Sequence, residues 1–171
     1  MIQPLRKLFL PVACTLLLLF SCTKTPLPQA NACTMEPEND LRTSLVGMWK
    51  SDALVVGIDT INNSDLSVLV EVKHDEWTEK LKMQPIRTIF NPNNTYVSAY
   101  IGNDGKVIKV TAGKWGVKKN NLSIHQFFPV DKQMDYRIDL AADALELRSK
   151  IDFDHDGQTD DLFYCQMKKI G

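Results

Sequence analysis

The chain lacks a surplus of charge of either sign, because 20 Lys and Arg residues stand against 21 Asp and Glu residues. A balance this even provides no electrostatic surface for nucleic acid or for anionic lipid headgroups. It also lacks a long apolar run. The uncharged segment 8–20 is thirteen residues long and contains Pro11, whereas a membrane-spanning helix needs roughly 18 apolar residues. Charge-driven nucleic-acid binding and a helical membrane span are therefore both disfavoured.

Motifs of catalysis are absent as well. The chain has no G-x-S-x-G, no HExxH and no phosphate-binding loop, so the common arrangements for nucleophilic, metal-assisted and phosphoryl-transfer chemistry are missing. The three histidines, His74, His125 and His155, fall in unrelated segments. We therefore expect a protein that is not an enzyme and has no organic cofactor.

The N-terminus carries a secretory signal. Arg6 and Lys7 precede the apolar segment, which ends at a small residue, Ser21, and this order is typical of a signal peptide. Leu19-Phe20-Ser21-Cys22 has the form of a bacterial lipobox. We expect a signal peptide over residues 1–21, lipidation of Cys22, and attachment to the membrane through acyl chains such as palmitate. The expected location is the outer membrane, facing the periplasm or the cell surface.

Cysteines are few. Cys14 leaves with the signal peptide and Cys22 takes the lipid, which leaves Cys33 and Cys165 in an oxidising compartment. We predict that these two form a disulfide, which would close a loop of about 130 residues and contribute on the order of 4–5 kcal/mol. The alternatives are two free thiols, or Cys165 as a small core residue.

The mature chain divides into a tether and one domain. Residues 22–40 are rich in Pro, Thr and Asn without apolar periodicity, which is typical of a flexible linker. Residues 41–171 form the domain, opening with a short helical turn over 41–45. From Trp49 onward apolar and polar residues alternate, most clearly over 144–153, which predicts antiparallel strands with one buried face. Residues 75–82 fit either a helical turn or a charged hairpin loop.

Eight or nine strands are expected, joined in sequence by short Asn-, Asp- and Gly-containing turns. Besides the first strand and 144–153, they cover residues 66–72, 86–90, 95–101, 107–117, 122–128, 136–140 and 162–167. A sheet built this way removes its exposed edges by closing. The fold class is thus all-β, an antiparallel up-and-down meander closing into a barrel.

Short motifs along these strands resemble the lipocalin-like domains of Gram-negative lipoproteins. They are Gly47-Met48-Trp49, the hairpin from Phe90 to Tyr96, Gly113-Lys114-Trp115, Leu145-Glu146-Leu147 and the turn from Asp152 to Gly157. The resemblance implies that these two glycine–tryptophan pairs close the barrel and that an arginine packs over Trp49, with Arg148 the candidate. Packing alone also accounts for both tryptophans. Thr88, Gln126 and Ser149 on apolar faces fit a ligand-orienting role or mutual pairing.

The acidic segment 152–161 is the most distinctive chemical pattern. Its oxygens follow the first nine places of a calcium loop, with a glycine at the sixth; the expected ligands are Asp152, Asp154, Asp156, Gln158, Asp160 and Asp161. Phe163 stands where a complete EF-hand has its bidentate glutamate. A calcium ion would stiffen the turn. The alternative is a solvated hairpin turn without a cation.

Two functions are compatible with these features. The first is a lipid-anchored, lipocalin-like protein, expected to be a monomer, that binds a small, largely apolar ligand inside the barrel. The second is a calcium-stiffened interaction module with a protein or glycan partner. No individual ligand-binding residue can be assigned from the pattern.

Overall fold

The computed structural model describes residues 37–59 and 66–171. The predicted signal peptide, the lipidation site Cys22, and Cys33 lie outside the described residues. Helix α1, Pro37–Leu45, begins four residues before the expected domain start at Leu41. The last part of the predicted tether is therefore helical.

Nine strands and one further helix follow α1, which confirms the all-β prediction. They are β1 Gly47–Ile58, β2 Val68–Val72, α2 Trp77–Lys80, β3 Arg87–Phe90, β4 Thr95–Ile101, β5 Val107–Lys118, β6 Asn121–Phe128, β7 Lys132–Ala141, β8 Ala144–Ile151 and β9 Asp161–Lys169. The ambiguous segment 75–82 contains the single turn of α2. Neither helix of the described residues is long and apolar enough to cross a membrane.

The sheet closes into a barrel of eight strands. All pairings are antiparallel, each strand from β3 to β9 pairs with the next, and β1 pairs with both β3 and β9. Strand β1 is twelve residues long, and its first residues pair with β3. The residues after its bulge pair with β2 instead, on the same edge of the strand. The barrel thus consists of β1 and β3–β9, with β2 as an extra strand.

Strand β8 shows how alternation builds the wall. Leu145 and Leu147 are buried, whereas Arg148 and Lys150 are exposed, so inward and outward positions alternate as predicted. Phe153 was expected on the inward face but is 49% exposed. The reason is that β8 ends at Ile151, so the chain has already left the sheet.

One end of the barrel is filled by apolar side chains and covered by α1. The buried cluster comprises Leu45, Trp49, Phe90, Tyr96, Trp115, Leu122, Ile124, Ile138, Leu145, Leu147, Cys165 and Met167. Trp49 is completely buried, and its indole Nε1 donates a 2.8 Å hydrogen bond to the Leu45 carbonyl at the end of α1. The buried indole ring of Trp49 and its hydrogen bond to Leu45 therefore attach α1 to the barrel.

Two glycines permit close approach of the backbone. Gly47 has φ +136°, and a Cβ there would lie 2.7 Å from the Gly171 carbonyl oxygen. At Gly113 a Cβ would lie 2.0 Å from the His125 carbonyl oxygen, next to a bulge between β5 and β6. Neither position accepts a side chain without a backbone shift.

The basic group over Trp49 is Lys169, and the prediction of Arg148 is wrong. Lys169 Nζ lies 5.4 Å from the Trp49 ring centroid and donates to the Ser44 carbonyl at 2.8 Å. Arg148 lies on the outer face of β8, where it pairs with Glu146 and stacks over Tyr164. In β8 the odd-numbered residues Leu145 and Leu147 face the interior, so the side chain of Arg148 faces outward.

Candidate functional site

The barrel interior holds a half-open cavity of about 140 Å³, to which all eight barrel strands contribute side chains. None of the lining residues is an Asp, Glu, Lys, Arg or His. For scale, an engineered apolar cavity of about 150 Å³ holds benzene. The interior is therefore large enough for one small uncharged molecule and too small for a long acyl chain.

One side of the cavity carries hydroxyl groups, and we name Ser51, Thr88, Ser98 and Thr111 the hydroxyl wall. Thr88 lies opposite Ser98, and Ser98 lies opposite Thr111, so three of the four form a single row across β3, β4 and β5. All four residues are buried. Thr88 and Ser98 hydrogen-bond to each other at 2.8 Å. The wall places hydrogen-bonding groups in a region that water barely reaches.

The opposite half of the barrel, β6–β9, lines the cavity with mostly apolar side chains. Ile124, Leu147, Phe163 and Met167 form this apolar wall. Since successive strands of an eight-stranded barrel follow its circumference, the half formed by β1 and β3–β5 faces the half formed by β6–β9. The serine and threonine hydroxyl groups of the lining are therefore confined to one half of the barrel, and Gln126 and Tyr136 are polar residues of the other half.

Tyr96 lines the cavity and has a buried hydroxyl oxygen that lacks a hydrogen-bond partner. The residue as a whole is 3% exposed. Burial raises the pKa of Tyr96, and side-chain hydrogen bonding to Thr111 lowers it in part, although the two hydroxyl groups do not meet the geometry of a hydrogen bond in this structure. The phenol therefore stays protonated at neutral pH, with a proton to donate.

Two further tyrosines line the cavity. Burial raises the pKa of Tyr100, and it raises the pKa of Tyr136 well above its usual range. Tyr136 is partnered, because its hydroxyl lies 3.3 Å from the Met134 sulfur. Tyr96 thus differs from Tyr136 in having a buried hydroxyl without a partner.

Among the described residues Cys165 has no disulfide partner; Cys33 lies outside them, so the disulfide between the two stays a prediction. It lies at an inward position of β9, between Leu54 and Leu147 on the neighbouring strands, and lines the cavity. Burial raises the pKa of the thiol to about 11, although a hydrogen bond with Ser51 lowers it in part. The alternative of a small core residue describes Cys165 in this structure.

The other polar residues singled out in the sequence have separate roles. Thr88 and Gln126 line the cavity, and Gln126 also donates to the Val130 carbonyl at 2.9 Å. Ser149 lies outside the cavity, because its hydroxyl donates to the Asp135 carbonyl at 2.6 Å. Sequence reasoning missed Ser51, Ser98 and Thr111, although each occupies an inward position of its strand.

A groove beside the cavity separates β7 from β8 at the end opposite α1. Their pairing stops at Arg137 and Arg148, although both strands continue past that point. The groove has a volume of about 510 Å³ and also touches the acidic segment 152–161. Met134 lines both groove and cavity, so the two adjoin at its side chain.

The acidic segment brings three carboxylates together. One oxygen each of Asp152, Asp154 and Asp161 lies within 4.8 Å of the others. Asp161 is completely buried and accepts backbone hydrogen bonds from Phe153 at 2.6 Å and Asp59 at 2.9 Å. Burial raises the pKa of Asp161, but these bonds and one from Asp154 outweigh that effect and lower it. Asp161 therefore holds the loop against β1.

The rest of the expected calcium set is used differently. Asp156 accepts the Gln158 backbone N–H at 2.7 Å, which is a local turn bond. Asp156 and Asp160 lie outside the close group of carboxylates. Burial and the neighbouring charges of Asp156 and Asp161 raise the pKa of Asp160. The arrangement corresponds to three convergent carboxylates, which is less than the six-ligand loop predicted.

Solved structures include chains that are similar to this one. The chain is similar to a lipocalin-like protein from Bacteroides uniformis, with 13% identity and a TM-score of 0.43 over 74% of this chain and 99% of that chain. No family model matches the chain, and no curated protein matches it.

Proposed function

We propose that the protein is a lipocalin-like, non-enzymatic binding protein that holds a small, largely apolar ligand inside its barrel. The cavity of about 140 Å³ carries the proposal, because it has an uncharged lining and an apolar wall. The members of the buried cluster that do not line the cavity, among them Leu45, Trp49 and Leu145, fill the α1 end of the barrel, so the ligand would enter at the end opposite α1. Such a site resembles the concave, mostly apolar pockets that bind small molecules.

Native mass spectrometry of the purified protein after incubation with a mixture of small apolar compounds tests this proposal. We expect the mass of the folded protein to increase by that of one bound compound per chain. A Leu147→Trp variant supplies the control, because an indole at this inward position would occupy the cavity. Retention of the same compound by that variant would place binding elsewhere and contradict the proposal.

We also propose that Cys22 carries the lipid anchor that holds the protein at the outer membrane. The lipobox supports this, together with the basic and apolar segments before it. Cys22→Ser should leave an uncleaved or unlipidated chain that is released from membranes. The mass of the mature protein decides the matter, since acyl chains add to it and a plain cleavage product lacks them.

A calcium-stiffened interaction module is the second candidate, favoured by one observation at Asp152. Its Oδ1 atom is buried without a hydrogen-bond partner, within the group that includes Asp154 and Asp161. A cation bound there would satisfy that oxygen and reduce the repulsion among the three carboxylates. It would also tie the acidic segment to the start of β9.

Thermal unfolding with calcium and with chelator tests this candidate. Calcium should raise the midpoint, and Asp152→Asn should abolish the increase, because ligand binding to the folded state stabilises it. Asp139→Asn, on the exposed face of β7, is the matched control and should keep the increase. Equal midpoints with calcium and chelator would show that the segment is a turn only.

A further inference from the structure

We infer that the ligand is an uncharged molecule of about the size of benzene, with one hydrogen-bonding group that pairs with the Tyr96 hydroxyl. This rests on the proposed function and narrows it to a chemical class. Phenol is the simplest member of that class. A long-chain fatty acid or a small carboxylate falls outside it.

The size limit follows from the cavity. Its volume of about 140 Å³ is close to the roughly 150 Å³ that accommodates benzene in an engineered core. The cluster members that do not line the cavity, among them Leu45, Trp49 and Leu145, fill the barrel on the α1 side. A chain of sixteen carbons therefore cannot be held whole within the cavity.

The exclusion of charge follows from the lining. None of its side chains is acidic, basic or a histidine, so an ionised ligand would lose its hydration without gaining a counter-ion. Transfer of an unpaired ion into such surroundings is strongly unfavourable. The site therefore selects against carboxylates and ammonium groups.

The polar end of the ligand is assigned by Tyr96. Its hydroxyl is unpartnered in a residue that is 3% exposed, whereas Thr88 and Ser98 satisfy each other. A buried donor without a partner is unfavourable, and a ligand oxygen placed there removes the deficit. Thr111 flanks the same point from β5.

The apolar end of the ligand is assigned by the opposite wall. Ile124, Leu147 and Phe163 line it and offer contact to a ring. A molecule with one polar and one apolar side therefore matches the cavity in a single orientation. The groove between β7 and β8, which shares Met134 with the cavity, provides a path of entry.

Affinity for four probes tests the inference. Phenol, toluene, benzoate and hexadecanoate are titrated into the purified protein, and dissociation constants are taken from protein NMR shifts. Phenol should bind about tenfold more tightly than toluene, since one buried hydrogen bond is of that order. Benzoate and hexadecanoate should leave the cavity resonances unshifted. Equal affinities for phenol and toluene, or cavity binding of hexadecanoate, would overturn the inference while leaving barrel binding intact.

Tyr96→Phe locates the hydrogen bond. Its affinity for phenol should fall at least about tenfold, because the phenol hydroxyl would be buried without a partner, and its affinity for toluene should stay the same. Tyr164→Phe, on the outer face of β9 beneath Arg148, is the matched control and should change neither. An undiminished preference of Tyr96→Phe for phenol would refute the role of Tyr96. If none of the four probes shifts the cavity resonances of the folded wild type, the proposed function itself fails.

Discussion

Replacing Asp161 by Asn should destabilise the protein far more than its position beside a surface loop suggests. The carboxylate is completely buried and accepts backbone hydrogen bonds at 2.6 Å from Phe153 and 2.9 Å from Asp59, besides the one from Asp154. Hydrogen bonds to a charged group contribute about 1.5–3 kcal/mol each. Asparagine keeps one acceptor oxygen and turns an N–H toward the other donor. We expect a loss on the order of 3 kcal/mol in the free energy of unfolding at pH 7.

The loss of stability caused by Asp161→Asn should also depend on pH in a characteristic way. The pKa of Asp161 is lowered in the folded state, so its contribution is complete above the unfolded pKa of about 3.9. It is lost as the pH falls through the lower folded value. The difference between wild type and Asp161→Asn should therefore be constant from pH 6 to 8 and shrink below about pH 4.

Urea unfolding in the presence of chelator measures both effects without any contribution from a cation. Asp139→Asn, on the exposed face of β7, should change stability by no more than about 0.5 kcal/mol. A loss under about 1 kcal/mol for Asp161→Asn at pH 7, or a difference that grows toward acid pH, would refute the reasoning. Asp161 would then not be the residue that fixes the loop.

Three further variants or assays test the barrel. Gly113→Ala should cost about 3 kcal/mol or more in urea unfolding, because its Cβ would lie 2.0 Å from a carbonyl oxygen; Gly116→Ala, with nothing within 4 Å, should be nearly neutral. Trp49→Ala should cost about 3–5 kcal/mol by calorimetry, and a smaller loss would mean that the end is loosely packed. Cys165, 5% exposed with its pKa raised to about 11, should react with a thiol reagent only after unfolding.

The strands were predictable because each one has a single buried face. Residues 95–101 were predicted to the residue and 107–117 to within one, since alternation and flanking turns define both ends. The extension of the first helix back to Pro37 was not predictable, because Pro, Glu and Asn at its start are equally typical of linkers. Alternation also fails where a strand ends early, as it does before Phe153.

The candidate site was harder to predict because it depends on register. Thr88, Ser98 and Thr111 are far apart in sequence, and only the pairing of β3 with β4 and of β4 with β5 places them in one row. The alternation along the strand could identify Thr88 as a polar residue on an apolar face, but it could not show which residues lie next to Thr88 on the neighbouring strand. In the same way, spacing could predict Asp161 as a metal ligand but could not show that its carboxylate also accepts the Phe153 backbone N–H within the loop.

A methyl-resolved NMR titration with phenol tests the central claim, that the barrel interior is a binding site, most directly. Methyl groups of Ile124, Leu147 and Met167, which line the cavity, should shift together with one dissociation constant. Methyl groups of Leu69 and Val107, which are 67% and 60% exposed, should not move. Shifts confined to the exposed methyl groups, or no shift at all, would contradict the account.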